Sequence, residues 1–125
     1  KPPNDLATLY SEIGLPHPGF DCFIFRRELF NYFNLGKVCI GVHKVGVVLL
    51  ANLIMHAKRF ELIEDKHVTF HLGEDRVWQN DRFLDYRLFN EEEARKVLID
   101  LRQKDSVKFD SSALMRKHFK LLQRK

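Results

Sequence analysis

The chain has few cysteines, lacks any apolar run long enough to cross a bilayer, and carries no acidic residue after position 110. Two cysteines, Cys22 and Cys39, in 125 residues are too few for a disulfide-dense secreted scaffold. They form no paired metal-ligand motif, which predicts two free thiols in a reducing compartment. The longest apolar stretch is closed by Lys58 and Arg59, short of the roughly 20 residues a bilayer span requires, and the N-terminus shows no signal-peptide pattern. These absences predict a soluble, cytoplasmic protein. The opening Lys1-Pro2-Pro3-Asn4, without an initiator methionine, reads as a piece of something larger. Residues 111–125 hold five basic residues, Arg116, Lys117, Lys120, Arg124 and Lys125, which of the net charge of +4 leaves −1 for residues 1–110. The basic character therefore belongs to the tail. Polyanion binding by the whole domain has little support, whereas a basic terminal helix is suited to phosphate, lipid or an acidic partner.

What is present suffices for one core, since a chain of this length that is 45% hydrophobic is too short for two comfortable ones. Asn4 or Asp5 can cap a short helix over residues 4–11, ended by Gly14, and Pro16-His17-Pro18-Gly19 forces a loop. Leu29, Phe30 and Phe33 suit a second short helix over residues 27–33. The next unit, from Gly41 or His43 to Arg59, holds the most apolar run of the chain. Its length decides for helix over strand, and so little polar surface remains that it should be covered on most sides. Strands are expected at residues 60–63 and within 68–72, with a turn at Glu64-Asp65-Lys66. A second tip at Gly73-Glu74-Asp75 leads to Arg76-Val77-Trp78, and residues 85–89 read as a closing strand. Asn90-Glu91-Glu92-Glu93 has the pattern of a helix start, with an Asn cap and acids against the helix dipole, and this helix runs to about Lys104. After a break at residues 105–110 a last helix begins at Ser111 or Ser112, with Met115, Phe119 and Leu122 on one face and Arg116, Lys120 and Arg124 on another. The sum is an α+β fold: a winged-helix-like three-helix core with a small β-hairpin wing, plus a C-terminal helical extension.

Residues that carry chemistry are sparse. His67 and His71 lie near Glu64 and Asp65, but on a strand their imidazoles would stand two pleats apart and would need a third ligand from elsewhere. They read as solvated hairpin histidines. His56 reads as a helix-edge residue, and His17 and His43 flank loops. No Gly-x-Ser-x-Gly elbow occurs, and Gly36, Gly41 and Gly46 are spaced five apart without a phosphate-loop pattern. No catalytic, cofactor-binding or metal-ligating residue is assigned, and the chain is read as a binding module and not as an enzyme. Nucleic acid is the alternative, because a helix-helix-wing order is shared with DNA-binding winged helices. Against it, the helix that would enter a groove offers only Lys44, Asn52, His56, Lys58 and Arg59 among valines and leucines, and the wing is acidic at Glu74 and Asp75.

Several stretches resemble the DEP domain, the winged-helix signalling module named for Dishevelled and pleckstrin among others. Arg27-Glu28-Leu29-Phe30-Asn31-Tyr32-Phe33 is similar to the family's Glu-Phe-Val-Asp-Trp-Leu helix. Val47-Val48-Leu49-Leu50-Ala51-Asn52-Leu53-Ile54-Met55 follows its Ala-Val-x-Leu-Gly-Gln-x-Leu-Leu pattern, with Ala51 in place of the usual Gly, and Phe60-Glu61-Leu62-Ile63 matches its Ile-x-x-Val strand. Trp78, Asp81 and Tyr86-Arg87-Leu88 stand roughly at its Phe-x-Asp and Tyr-Arg-Phe ending. The segment that in the family often carries a basic arm shrinks here to residues 14–21, with no Lys or Arg. The resemblance implies a DEP-like domain over residues 1–90 with an extension over 91–125. It also implies a non-catalytic adaptor role in an intracellular signalling protein, cytoplasmic and at the membrane periphery, docking on a membrane-associated protein or an acidic phospholipid surface. The contacts expected for such a surface are Arg26, Arg27, Lys37 and Lys44 around the second and third helices, with Arg116, Lys117, Lys120 and Arg124 as a separate basic face.

Overall fold

The computed structural model describes residues 19, 20, 22–64 and 79–124. Within them the chain forms four α-helices: α1 (Val45–His56), α2 (Leu84–Lys104), α3 (Ser106–Ser111) and α4 (Ala113–Gln123). A 3-10 turn at Arg27–Tyr32 precedes α1, and another at Asp81–Phe83 leads directly into α2.

The core is built around α1. Val47, Val48, Leu50, Ala51, Leu53, Ile54 and Met55 are all buried, as an all-round apolar helix requires. α2 lies along it through Ala94, Val97, Leu98 and Leu101, and Phe109 of α3 and Met115 of α4 complete the same cluster. Phe20, Phe23, Leu35, Val38, Leu114, Phe119 and Leu122 pack around its edge. The starts of α3 and α4 are capped locally, and the end of α1 from a distance. Asp105 accepts a hydrogen bond from the Lys108 amide at the start of α3, and Ser112 accepts one from Met115 at the start of α4. The Lys108 ammonium donates to the Met55 and Ala57 carbonyls (2.8 and 3.3 Å), placing a cation on the negative end of α1.

The expected α+β architecture is not seen: the described residues are helical and contain no strand. Residues 60–63 have no regular structure, and residues 85–89 lie inside α2. The strand expected within 68–72, the tip at 73–78 and the helix at 4–11 fall outside the described residues. The physical reason for the closing strand's conversion lies in residues 84–104, which contain neither Gly nor Pro. Once the helix over 91–104 exists, each added residue brings a hydrogen bond without a new nucleation cost, so it continues back through Tyr86 and Phe89 despite their strand preference. The start falls instead at the turn whose Asn80 side chain accepts from the Arg82 amide. Three other elements also move. The central helix is Val45–His56 and does not run from 41 or 43 to 59, the expected break at 105–110 is largely occupied by α3, and Asn90 is an interior residue of α2 and not its cap. Residue 90 falls within α2, and core residues before and after it share one cluster.

Candidate functional site

Between the first 3-10 turn and α1 runs a loop, residues 33–44, fastened by two fully buried asparagines. The Asn52 Oδ1 accepts from the Asn34 amide (2.7 Å), while its Nδ2 donates to the Asn34 carbonyl (2.7 Å) and to Val48 (2.8 Å). Asn90 repeats the arrangement from α2. Its Oδ1 accepts from the Cys39 amide (2.7 Å), and its Nδ2 donates to the Cys39 and His43 carbonyls (2.9 and 3.1 Å). Each side-chain amide thus substitutes for a neighbouring strand, pairing with both backbone groups of one loop residue. Carboxylates add two more ties: Glu93 accepts from the Lys37 amide, and Asp100 from the Asn34 side chain. Gly36 is required where the loop passes α2, because it takes φ +57° and a Cβ there would stand 2.9 Å from Val97.

The loop ends at Lys44, a non-glycine residue at φ 82°, which opens α1 without a side-chain cap. From there a ring contact leads to α4. Phe20 lies against Gly46, and its ring meets the His118 ring edge-on at 5.9 Å. Lys44 therefore joins the basic residues of α4. Arg116, Lys117 and Lys120, at i, i+1 and i+4, share one exposed face, Arg124 is exposed at the C-cap, and Met115, Phe119 and Leu122 turn toward the core. The Arg116 guanidinium also donates to the Asp110 carbonyl, and Arg102 forks onto the Asp110 carboxylate (2.9 and 3.0 Å). The two basic groups expected from the sequence are thus partly merged. Lys44 and Lys117 both bear on His118, and Lys37 is exposed on the loop. Arg26 and Arg27 are exposed at the start of the first 3-10 turn. The far end of that turn, Tyr32, and the following Phe33 pack on His56 at the C-terminal end of α1. Sequence reasoning missed Asn52, Asn90 and His118, whose roles depend on partners remote in sequence.

His118 and His56 are both held below the ordinary histidine pKa. Burial is the larger cause for each, followed by Lys117 and Lys44 for His118 and by Lys104 and Lys108 for His56. As pH falls through about 6.5 the unfolded chain takes up protons first, so stability present above that pH is lost below it. Urea unfolding between about pH 7.5 and 5.5 should show this loss, and the double variant His56→Gln/His118→Gln should flatten it. An unchanged slope in the double variant would assign the loss to other groups. Asp100, hydrogen-bonded by Lys104 and Asn34, and Asp110, held by Arg102, have lowered pKa values and add a separate loss below about pH 4.

Cys22 is exposed, Cys39 is half-buried, and neither is bonded to another cysteine. Among the described residues no group of three or more His, Cys, Asp and Glu could hold a metal ion. Of the metal candidates weighed from the sequence, Glu64 is exposed, while Asp65, His67 and His71 lie outside the described residues. A shallow groove between Ile99, Arg102, Gln103, Ser106 and Phe119 has its guanidinium committed to Asp110 and laid over the Phe119 ring. It presents no nucleophile paired with a base. No helix among the described residues is long and apolar enough to cross a membrane. Compared with protein-family models, with curated proteins and with solved structures, the chain matches none.

Proposed function

We propose that this is a non-catalytic targeting domain that docks on an anionic phospholipid surface through the basic face of α4. The observation that carries the reading is the division of that helix: its apolar side is spent on the core, and Arg116, Lys117 and Lys120 lie on the other, with Arg124 at its C-cap and no acidic residue among them. Lys44 extends the face onto the start of α1. A basic residue near an anionic leaflet contributes about 1 kcal/mol, so five acting together suffice for reversible recruitment. The role accords with the one implied by the DEP resemblance, but it rests on α4 and not on that resemblance. Nucleic acid is disfavoured because Asn52, one of the few polar side chains α1 could offer to a groove, is turned inward to Asn34.

The test is co-sedimentation with phosphatidylcholine vesicles, with and without phosphatidylserine. Binding should require phosphatidylserine and fall with added salt. The charge reversal Lys117→Glu/Lys120→Glu should weaken it at least about thirtyfold, two basic residues at about 1 kcal/mol each. Equal binding to neutral vesicles would sink the proposal. So would a salt-sensitive shift of duplex DNA by a protein that ignores both kinds of vesicle.

A further inference from the structure

The loop that Asn90 fastens carries an apolar side chain at its apex. Ile40 is 91% exposed, next to Gly41, which takes φ +88° with nothing within 4 Å of where its Cβ would stand. The residues on either side are held firmly. Cys39 pairs with Asn90 through both its amide and its carbonyl, the Lys37 amide donates to Glu93, and the His43 ring meets Glu91 at 2.9 Å. A chain that merely needed to cross from the first 3-10 turn to α1 could place a polar residue at this point. Here a β-branched aliphatic group stands in water on a hydrogen-bonded support, with Lys37 and Lys44 on either side in sequence.

We propose that Ile40 is a membrane wedge, entering the headgroup and acyl boundary of an anionic leaflet while Lys37, Lys44 and the basic face of α4 meet the lipid phosphates. This rests on the reading of α4 given above and adds a second, apolar contact to it. Charge complementarity argues for an anionic leaflet as the occupant. The acids nearest the loop are engaged within the protein, Glu91 with His43 and Glu93 with the Lys37 amide and the Lys96 ammonium (2.9 Å). Of the cations flanking the tip, Lys37 is exposed and Lys44 is half-buried, and neither makes an ion pair with these acids. Reversible membrane attachment commonly combines a modest apolar insertion with a basic patch, since neither alone gives stable anchoring.

The experiment compares the wild type, Ile40→Ser and Ile40→Trp on phosphatidylcholine/phosphatidylserine vesicles, some made with brominated acyl chains. Ile40→Ser should bind about tenfold more weakly, the effect of partly burying one isoleucine, with the salt dependence retained. Its melting temperature should not change, because the side chain packs on nothing. Ile40→Trp should show a blue shift and bromolipid quenching beyond those of the wild type, whose single tryptophan, Trp78, sets the background. If Ile40→Ser binds like the wild type while Lys117→Glu/Lys120→Glu does not bind, the wedge is wrong and the α4 reading survives. Weakened binding of Ile40→Ser without quenching of Ile40→Trp also overturns insertion, as does a lowered melting temperature, which would make Ile40 a packing residue. A wild type that binds neither vesicle overturns both readings.

Discussion

Asn90→Ala should destabilise the domain by about 2–4 kcal/mol in urea unfolding, a large share of the stability of a small domain. Three hydrogen bonds disappear at once, and the Cys39 amide with the Cys39 and His43 carbonyls loses a partner that water cannot easily replace against a fully buried side chain. An unsatisfied buried group costs about 1–3 kcal/mol, and the better helix propensity of alanine offsets only about half a kcal/mol. Asn90→Asp separates this account from the cap suggested by the sequence. Aspartate is as good an N-cap as asparagine and would be tolerated at a helix start. In the interior of α2 it keeps the acceptor for the Cys39 amide but turns a carboxylate oxygen toward two carbonyls, so it should be at least as damaging as alanine. A near-native Asn90→Asp would sink the account. Asn52 is the twin position, and because both asparagines hold the same loop, the double variant should cost less than the two single losses added together.

The helix starts show why part of this fold is readable from sequence and part is not. Ser112 is a local signal with a local consequence: the hydroxyl reaches the Met115 amide three residues on, and nothing remote competes for it. Asn90-Glu91-Glu92-Glu93 is an equally good local signal, yet Asn90 spends its amide on residues 39 and 43, some 50 positions earlier. No window of sequence contains that competition. The apolar run of α1 is legible for a different reason. A helix without a polar face has one stable environment, so its burial follows from composition alone. Residues 84–89 mislead because their aromatic and aliphatic character resembles a strand, while their conformation is set by the helix formers downstream. They remain largely exposed, with Leu84, Tyr86, Leu88 and Phe89 all in contact with solvent.

The candidate site divides in the same way. The basic face of α4 needs only helical spacing and a count of charges, and both are in the sequence. Its union with Lys44 needs the ring contact of Phe20 with His118, which spans nearly the whole described chain. Ile40 is the extreme case. Nothing in the sequence around it marks its exposure, and only the path of the loop around Asn90 shows it standing in water.

Phe109→Ala should cost about 3–5 kcal/mol, the range for emptying a fully buried phenylalanine site, and should do so in a single transition. Phe109 has no exposed surface, packs edge-on against Phe119 at 5.7 Å, and belongs to the cluster that includes Val48, Leu50 and Leu98. If residues 91–125 were an appendage on a separately stable domain, the variant would first lose part of its helical signal at low urea and keep the rest. With one shared core, the midpoint should shift while the dependence on urea stays the same. Val107→Ala is the control on the same short helix. Val107 is 81% exposed, so its truncation should stay within about 0.5 kcal/mol of the wild type. A two-step unfolding curve for Phe109→Ala would place a boundary inside α2. A single shifted curve would mean that α3 and α4 hold α1 in place, and that the basic face of α4 and the loop ahead of α1 move as one rigid surface.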